Sequence, residues 1–187
     1  PRRFGPYATK NYLIQKNEEA YANVFTVHYP DEERPAARPL KTSPCYERLE
    51  KMGAVFGSSF GLERANWFAP DGVKQIDDWS FRRSKYFVHV GNEAKNVSKN
   101  VGILDLSGFA KCKISGDNAE EFLNSFVANK LPNKVGSIKL CHSLTSKGGV
   151  HSEFTITKEA ENLYYIISAG AFTRLDHDWI LKSSQSF

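Results

Sequence analysis

Phe109-Ala-Lys-Cys-Lys-Ile114, then Ser115-Gly-Asp117, then Asn118-Ala-Glu-Glu-Phe-Leu-Asn-Ser-Phe-Val-Ala128 carry the periods that set the fold class. In the first run apolar and lysine side chains alternate, the period of two that half-buries a strand. Ser115-Gly-Asp117 supplies turn residues. Beyond it Ala119, Phe122, Leu123 and Phe126 recur at intervals of three and four, one apolar face of a helix, with Asp117 placed as N-cap and Glu120 three residues on as the return partner of a capping box. Working outward, Gly102-Ile-Leu-Asp-Leu106 reads as a preceding strand, and three more follow around Ile138–Leu144, Val150–Thr157 and Leu163–Ser168, with a helix starting near Ala171. Lys147-Gly-Gly149 joins the first two of these three. The class predicted is α+β, built of antiparallel strands and helices, with no internal repeat or low-complexity tract.

The first hundred residues are less regular. Tyr12, Leu13, Ala20, Tyr21 and Val24 fit one face of a helix between Tyr7 and Phe25. Four prolines, Pro30, Pro35, Pro39 and Pro44, make the next stretch an extended connector. Ser43-Pro44 is read as an N-cap and first helical residue of a short helix that stops at Gly53. Ala54–Gly57 and Glu63–Phe68 are strand-like, Pro70-Asp-Gly72 is a turn, and His89–Asn100 is a helix with Val90, Ala94 and Val97 on one side. Glu63, Arg64, Asn66 and Trp67 alternate charge with an aromatic, a pattern that suits bracing through an ion pair and a buried ring.

Composition narrows the function. With 187 residues and 41% apolar content there is enough material for a core. The formal charge of +4 is spread among acidic residues, so no basic stripe suits a nucleic-acid backbone, and nucleic acid is not expected as a partner. Cys45, Cys112 and Cys141 are odd in number and far apart, with no CxxC, which argues against a disulfide framework or a zinc site and for a reducing compartment. No apolar run approaches the roughly 20 residues of a membrane span, and no charged-then-apolar leader opens the chain. The chain starts at Pro1 and stops just after the amphipathic run Asp176-His-Asp-Trp-Ile-Leu-Lys182, and is read as a fragment, with any targeting peptide outside it.

Arg38-Pro-Leu-Lys-Thr-Ser-Pro-Cys-Tyr-Glu-Arg-Leu-Glu-Lys-Met-Gly-Ala-Val-Phe-Gly-Ser-Ser-Phe-Gly-Leu-Glu-Arg-Ala-Asn-Trp-Phe-Ala-Pro70 has an order of glycine, arginine and aromatic residues that no generic core or loop needs. It closely resembles the connecting segment of the flavin-dependent dimethylglycine and sarcosine dehydrogenases. Asp105-Leu-Ser-Gly-Phe-Ala-Lys111, Gly116-Asp-Asn-Ala119, Ala128-Asn-Lys-Leu-Pro132 and the hairpin from Leu144 to Thr157 then resemble, in order and spacing, the start of an aminomethyltransferase-type folate domain. The resemblance implies three parts: residues 1–30 as the C-terminal tail of a flavin oxidoreductase domain, 31–85 as a central connecting domain, and 86–187 as the N-terminal part of a folate-binding domain. It implies FAD in a missing N-terminal domain and tetrahydrofolate in this region. The implied activity is oxidative N-demethylation of dimethylglycine with transfer of the one-carbon unit to folate, in bacterial cytoplasm or mitochondrial matrix. Sarcosine dehydrogenase and a non-redox folate-dependent aminomethyltransferase or demethylase remain as alternatives, and the electron acceptor stays open.

Residue by residue, the resemblance makes Glu153 the catalytic candidate, at the place where aminomethyltransferases carry an aspartate after the Gly-Gly turn. A carboxylate there accepts a proton from an attacking amine and stabilises a neighbouring cation. Without the resemblance, Glu153 reads as the exposed member of the alternating run Ser152-Glu-Phe-Thr-Ile. Ser168, at a strand end where the family often has a pterin-binding asparagine, is the first cofactor-binding candidate, against a plain strand-end or N-cap serine. Asp105 and Ser107 are candidates for the same pocket, against turn and capping roles. His151, two residues from Glu153, would share its face of a strand. No histidine and carboxylate spacing suggests a metal ligand. The dinucleotide fingerprint G-x-G-x-x-G is absent, so the chain itself is not expected to bind FAD or to be active alone.

Overall fold

The computed structural model describes residues 5–187, and within it the chain packs as two units that divide after Asp105. The reading of the first five residues as the tail of a flavin domain falls, for Pro1 to Phe4, outside the described residues. The boundaries expected at 30/31 and 85/86 separate segments by resemblance, whereas the units separate by packing.

The first unit holds a 3-10 turn Gly5–Ala8, helices α1 (Lys10–Ala22), α2 (Tyr46–Lys51) and α3 (Tyr86–Lys99), and the antiparallel pair β1 (Ala54–Ser59) and β2 (Leu62–Phe68). The single helix expected from Tyr7 to Phe25 is broken at Thr9, whose Oγ1 accepts from the Tyr12 backbone N–H at 3.3 Å and caps α1. Its expected apolar face is not buried, since Tyr21 and Val24 are exposed. α3 begins three residues earlier than predicted and likewise buries none of its residues. The regular turns of α2 start at Tyr46, but the predicted cap is made just ahead of them: the Ser43 Oγ accepts from the Cys45 N–H at 3.2 Å, the Ser43 carbonyl accepts from the Tyr46 N–H at 3.0 Å, and the same hydroxyl donates to Asp105 Oδ2 at 2.8 Å.

The hairpin turns through Phe60 and Gly61, both at positive φ (53° and 84°), the two-residue geometry whose twist matches the strands it joins. Gly53, at φ 90°, lies against the Ala69 carbonyl so closely that a Cβ would overlap it, and that approach lets the Ala69 N–H reach the Gly53 carbonyl at 2.8 Å. Val55, Trp67 and Ala69 form the small core, with Tyr86 packed against it, and Trp67 Nε1 donates to Asp77 at 2.9 Å. The expected ion pair on β2 is made by Glu63. Arg38 forks onto its two oxygens at 2.9 and 2.6 Å and also donates to the Phe56 carbonyl at 3.0 Å. That contact holds the Arg38 guanidinium above its ordinary pKa. Arg64 is exposed.

The second unit runs β3 (Ala110–Ser115), α4 (Ala119–Phe126), β4 (Ile138–Leu144), β5 (Val150–Ala160), β6 (Leu163–Ser168), a 3-10 turn Gly170–Phe172 and α5 (Thr173–Ser183). The four strands form one antiparallel sheet in the order β3-β6-β5-β4. Alternation sends Cys141, Phe154, Ile156, Tyr164 and Ile166 to one face, where Ala119, Phe122 and Leu123 of α4 complete the core. The α+β class read from the sequence is the class of the structure.

Two local expectations fail in informative ways. Gly102–Leu106 is in no strand, with Ile103 and Leu104 exposed, because apolar alternation makes a strand only where a neighbouring edge takes its hydrogen bonds. The capping box is also absent. Asn118 occupies the N-cap position without a side-chain capping bond, its Nδ2 donating to the Phe187 carbonyl at 3.0 Å, and Glu120 turns to β5 and β6, where Lys158 Nζ (3.0 Å) and the Tyr164 hydroxyl (2.8 Å) both donate to it.

Candidate functional site

The two faces of the second unit's sheet differ in what covers them. On the side away from α4, the alternate residues Ile138, Leu140 and His142 of β4 lie opposite Thr157, Thr155 and Glu153 of β5, and Ile138, Leu140 and Glu153 are exposed. Glu153 is therefore a surface carboxylate on an open face, 61% exposed at its side chain.

Its Oε2 lies 3.2 Å from His142 Nε2, directly across the strand pair. A third residue holds that histidine. After α4 the chain runs antiparallel along β4, with a bridge between Val127 and Ser143 and the Ala128 N–H on the His142 carbonyl at 2.9 Å. The next residue, Asn129, accepts from the His142 backbone N–H at 3.2 Å and faces the ring Nδ1 at 3.4 Å.

His151 does not share the Glu153 face, as the i, i+2 spacing predicts. Ser143 pairs with Ser152 but Leu144 with Val150, so His151 is the extra residue of a bulge. Its ring stacks on Trp179 (centroids 4.5 Å apart, planes 16° apart) and its Nδ1 meets the Ser152 hydroxyl at 3.1 Å.

Ser168 is buried on the opposite face of the sheet from Glu153, so the first two candidates are not brought together. Its hydroxyl donates to Asp176 Oδ2 at 2.6 Å, while Ser152 donates to Asp176 Oδ1 at 2.5 Å. Asp176 is 3% exposed and fastens α5 to the ends of β5 and β6. Beside it opens a cleft of about 480 Å³ lined by Cys112, Phe122, Ile166, Ser168, Asp176 and Ile180, among others. Burial, and second the Asp176 charge, push the Cys112 thiol above its ordinary pKa, which keeps it in the unreactive protonated form.

Asp105 belongs to the first unit and accepts from Ser43, whereas Ser107 belongs to the second. Among the described residues no cluster of His, Cys, Asp and Glu is arranged to hold a metal ion, and no helix is long and apolar enough to cross a membrane.

Asp176, His142 and Asn129 were missed in the sequence. Asp176 had a signal, a carboxylate at i to Trp179 and Ile180 at i+3 and i+4, on the inward side of its helix. His142 had a weaker one, sharing the alternation of Ile138 and Leu140. Asn129 lies inside the family-like block Ala128–Pro132, but no spacing places it beside His142; the bridge along β4 does.

Residues 45–186 match the family model described as GCVT N-terminal domain, and residues 1–43 match that of the FAD dependent oxidoreductase central domain. The chain is 35% identical over 98% of its length to the mitochondrial dimethylglycine dehydrogenase of Rattus norvegicus, and 23% identical over 95% to the mitochondrial sarcosine dehydrogenase of Homo sapiens. It spans 21% and 23% of those two proteins' own lengths. In fold it is similar to the glycine cleavage system aminomethyltransferase T of Bartonella henselae, with a TM-score of 0.61 and 20% identity over 79% of this chain and 36% of that one. With the antiparallel sheet and α4 in place and residues 45–186 matched, the chain belongs to the GCVT N-terminal domain family.

Proposed function

We propose that the chain is a segment of a flavin-dependent dimethylglycine dehydrogenase, in which its second unit presents the carboxylate that serves one-carbon transfer to tetrahydrofolate. The observation that carries this reading is Glu153, exposed on an open sheet face and hydrogen-bonded to His142, in a fold of the aminomethyltransferase kind. The greater identity to dimethylglycine dehydrogenase than to sarcosine dehydrogenase supports the substrate. The pairing of both family models in one chain supports the coupling of amine oxidation to folate.

The open face fits a planar heteroaromatic ligand, because Ile138 and Leu140 offer exposed apolar surface beside the carboxylate. Bound tetrahydrofolate would supply the nucleophilic amine that takes up the one-carbon unit. Glu153 would accept the proton that this amine sheds and hold a neighbouring cation by its charge. Ser168, on the opposite face of the sheet, is proposed as a contact for a ligand lying in the cleft and not for one on the open face, through the hydroxyl lone pairs that its bond to Asp176 leaves free to accept. Asp105 and Ser107 are proposed for the folate pocket as well, and Asp105 accepts from Ser43.

FAD is assigned to a part of the polypeptide outside this chain, which lacks the dinucleotide fingerprint, and no step of flavin chemistry is given to its residues. Residues 31–85 are read as the connecting segment, and the compartment as bacterial cytoplasm or mitochondrial matrix. In the whole flavoprotein, anaerobic dimethylglycine should bleach the flavin in preference to sarcosine. Glu153→Gln should leave that bleaching intact while slowing formation of methylenetetrahydrofolate about 100-fold. Preferential bleaching by sarcosine would reassign the substrate, and an unchanged folate rate would remove Glu153 from the mechanism.

A further inference from the structure

The His142 ring faces Glu153 with Nε2 3.2 Å from Oε2, and the proton arrangement of that contact follows from Asn129. The backbone N–H of His142 is an obligatory donor, so the Asn129 atom it meets at 3.2 Å is the amide oxygen. The same oxygen faces Nδ1 at 3.4 Å, so the Nδ1 position carries a proton. Nε2 is then the free lone pair of the neutral ring, aimed at Glu153. A lone pair and a carboxylate are both acceptors and repel, so the 3.2 Å contact is a hydrogen bond only when one further proton lies between them. The groups facing the ring are Glu153 from β5 and Asn129 from the segment beside β4, and its side chain is 31% exposed, open to water.

We infer that His142 is a proton-relay residue for Glu153, carrying away each proton that its carboxylate receives and holding the carboxyl group while that proton lies between them. A proton leaving the nitrogen of an amine substrate bonds to Oε2 of Glu153, passes along the existing contact to Nε2, and leaves the resulting imidazolium to water. The amine N–H bond breaks, a bond to water oxygen forms, the carboxylate and neutral ring are restored, and no electrons change hands. Asn129 fixes which nitrogen receives the proton. The inference rests on the reading of Glu153 as the proton acceptor.

The test uses the whole flavoprotein in three variants, Glu153→Gln, His142→Ala and His142→Gln, with folate-product formation and anaerobic flavin bleaching both measured. His142→Ala should lower kcat for the folate product about tenfold with the KM for tetrahydrofolate unchanged, and added imidazole should restore most of the loss. His142→Gln, which can hold the carboxylate but not relay, should be equally slow and gain nothing from imidazole. Bleaching should be the same in all. Wild-type kcat in either histidine variant, with Glu153→Gln slow, overturns the relay and leaves Glu153 in place. So does a loss confined to KM. A wild-type rate in Glu153→Gln overturns the Glu153 reading and the relay through it.

Discussion

Asp176 has two hydroxyl donors and almost no exposure, which is the arrangement in which a buried carboxylate is tolerated. Asp176→Ala would leave the Ser152 and Ser168 hydroxyls buried without their partner and release α5 from the sheet end. The expected loss is about 2–4 kcal/mol of stability, read by urea unfolding. The candidate residues were legible to different degrees for physical reasons. Glu153 was singled out by the family resemblance of its place after the Gly-Gly turn, since spacing alone reads it as an exposed strand residue. Its partner was not, because cross-strand pairing depends on register, and register here passes through the bulge at His151, which apolar alternation does not reveal. Ser168 was found as a strand-end serine, but its commitment to a carboxylate eight residues on, across a turn, was invisible.

At the scale of elements, α4 is held to the sheet by more than its apolar face. Glu120 takes donors from Lys158 and Tyr164, and the Lys158 contact first, the Tyr164 contact second, lower its pKa, while the Glu120 contact raises that of Lys158. A lowered carboxyl pKa adds stability above its unfolded value and loses it as pH falls through the folded one; a raised ammonium pKa adds stability below its unfolded value and loses it as pH rises through the folded one. The contact is thus complete between about pH 5 and pH 10. Glu120→Gln should lower the melting temperature by a few degrees at pH 7 and flatten its fall toward acid, a modest effect because half the Glu120 side chain faces solvent. The elements themselves were mostly legible. Strands β3 to β6 and helix α4 have strong periods and came out within a few residues. The failures, at 102–106 and at the proposed capping box, occur where the outcome depends on a partner elsewhere in the chain and not on the local pattern.

For the molecule as a whole, the α+β class was within reach of the sequence, while the three parts that the resemblance implied follow descent and the two units follow packing. The family models part between residues 43 and 45, whereas packing divides the chain after Asp105. The interval between carries the β1–β2 hairpin, whose Glu63, 5% exposed, depends on Arg38. Arg38→Met should cost the hairpin about 3–5 kcal/mol, because Glu63 would stay buried without a counter-charge. A chain begun at Cys45 should show the same defect as faster hydrogen exchange of the amides from Ala54 to Phe68. The ion pair therefore bears on heredity. Two modules that look separable at the level of family descent share one charge balance, so a recombination event joining the later module to a foreign predecessor succeeds only if the incoming segment brings its own cation to Glu63, and descent should move the two together.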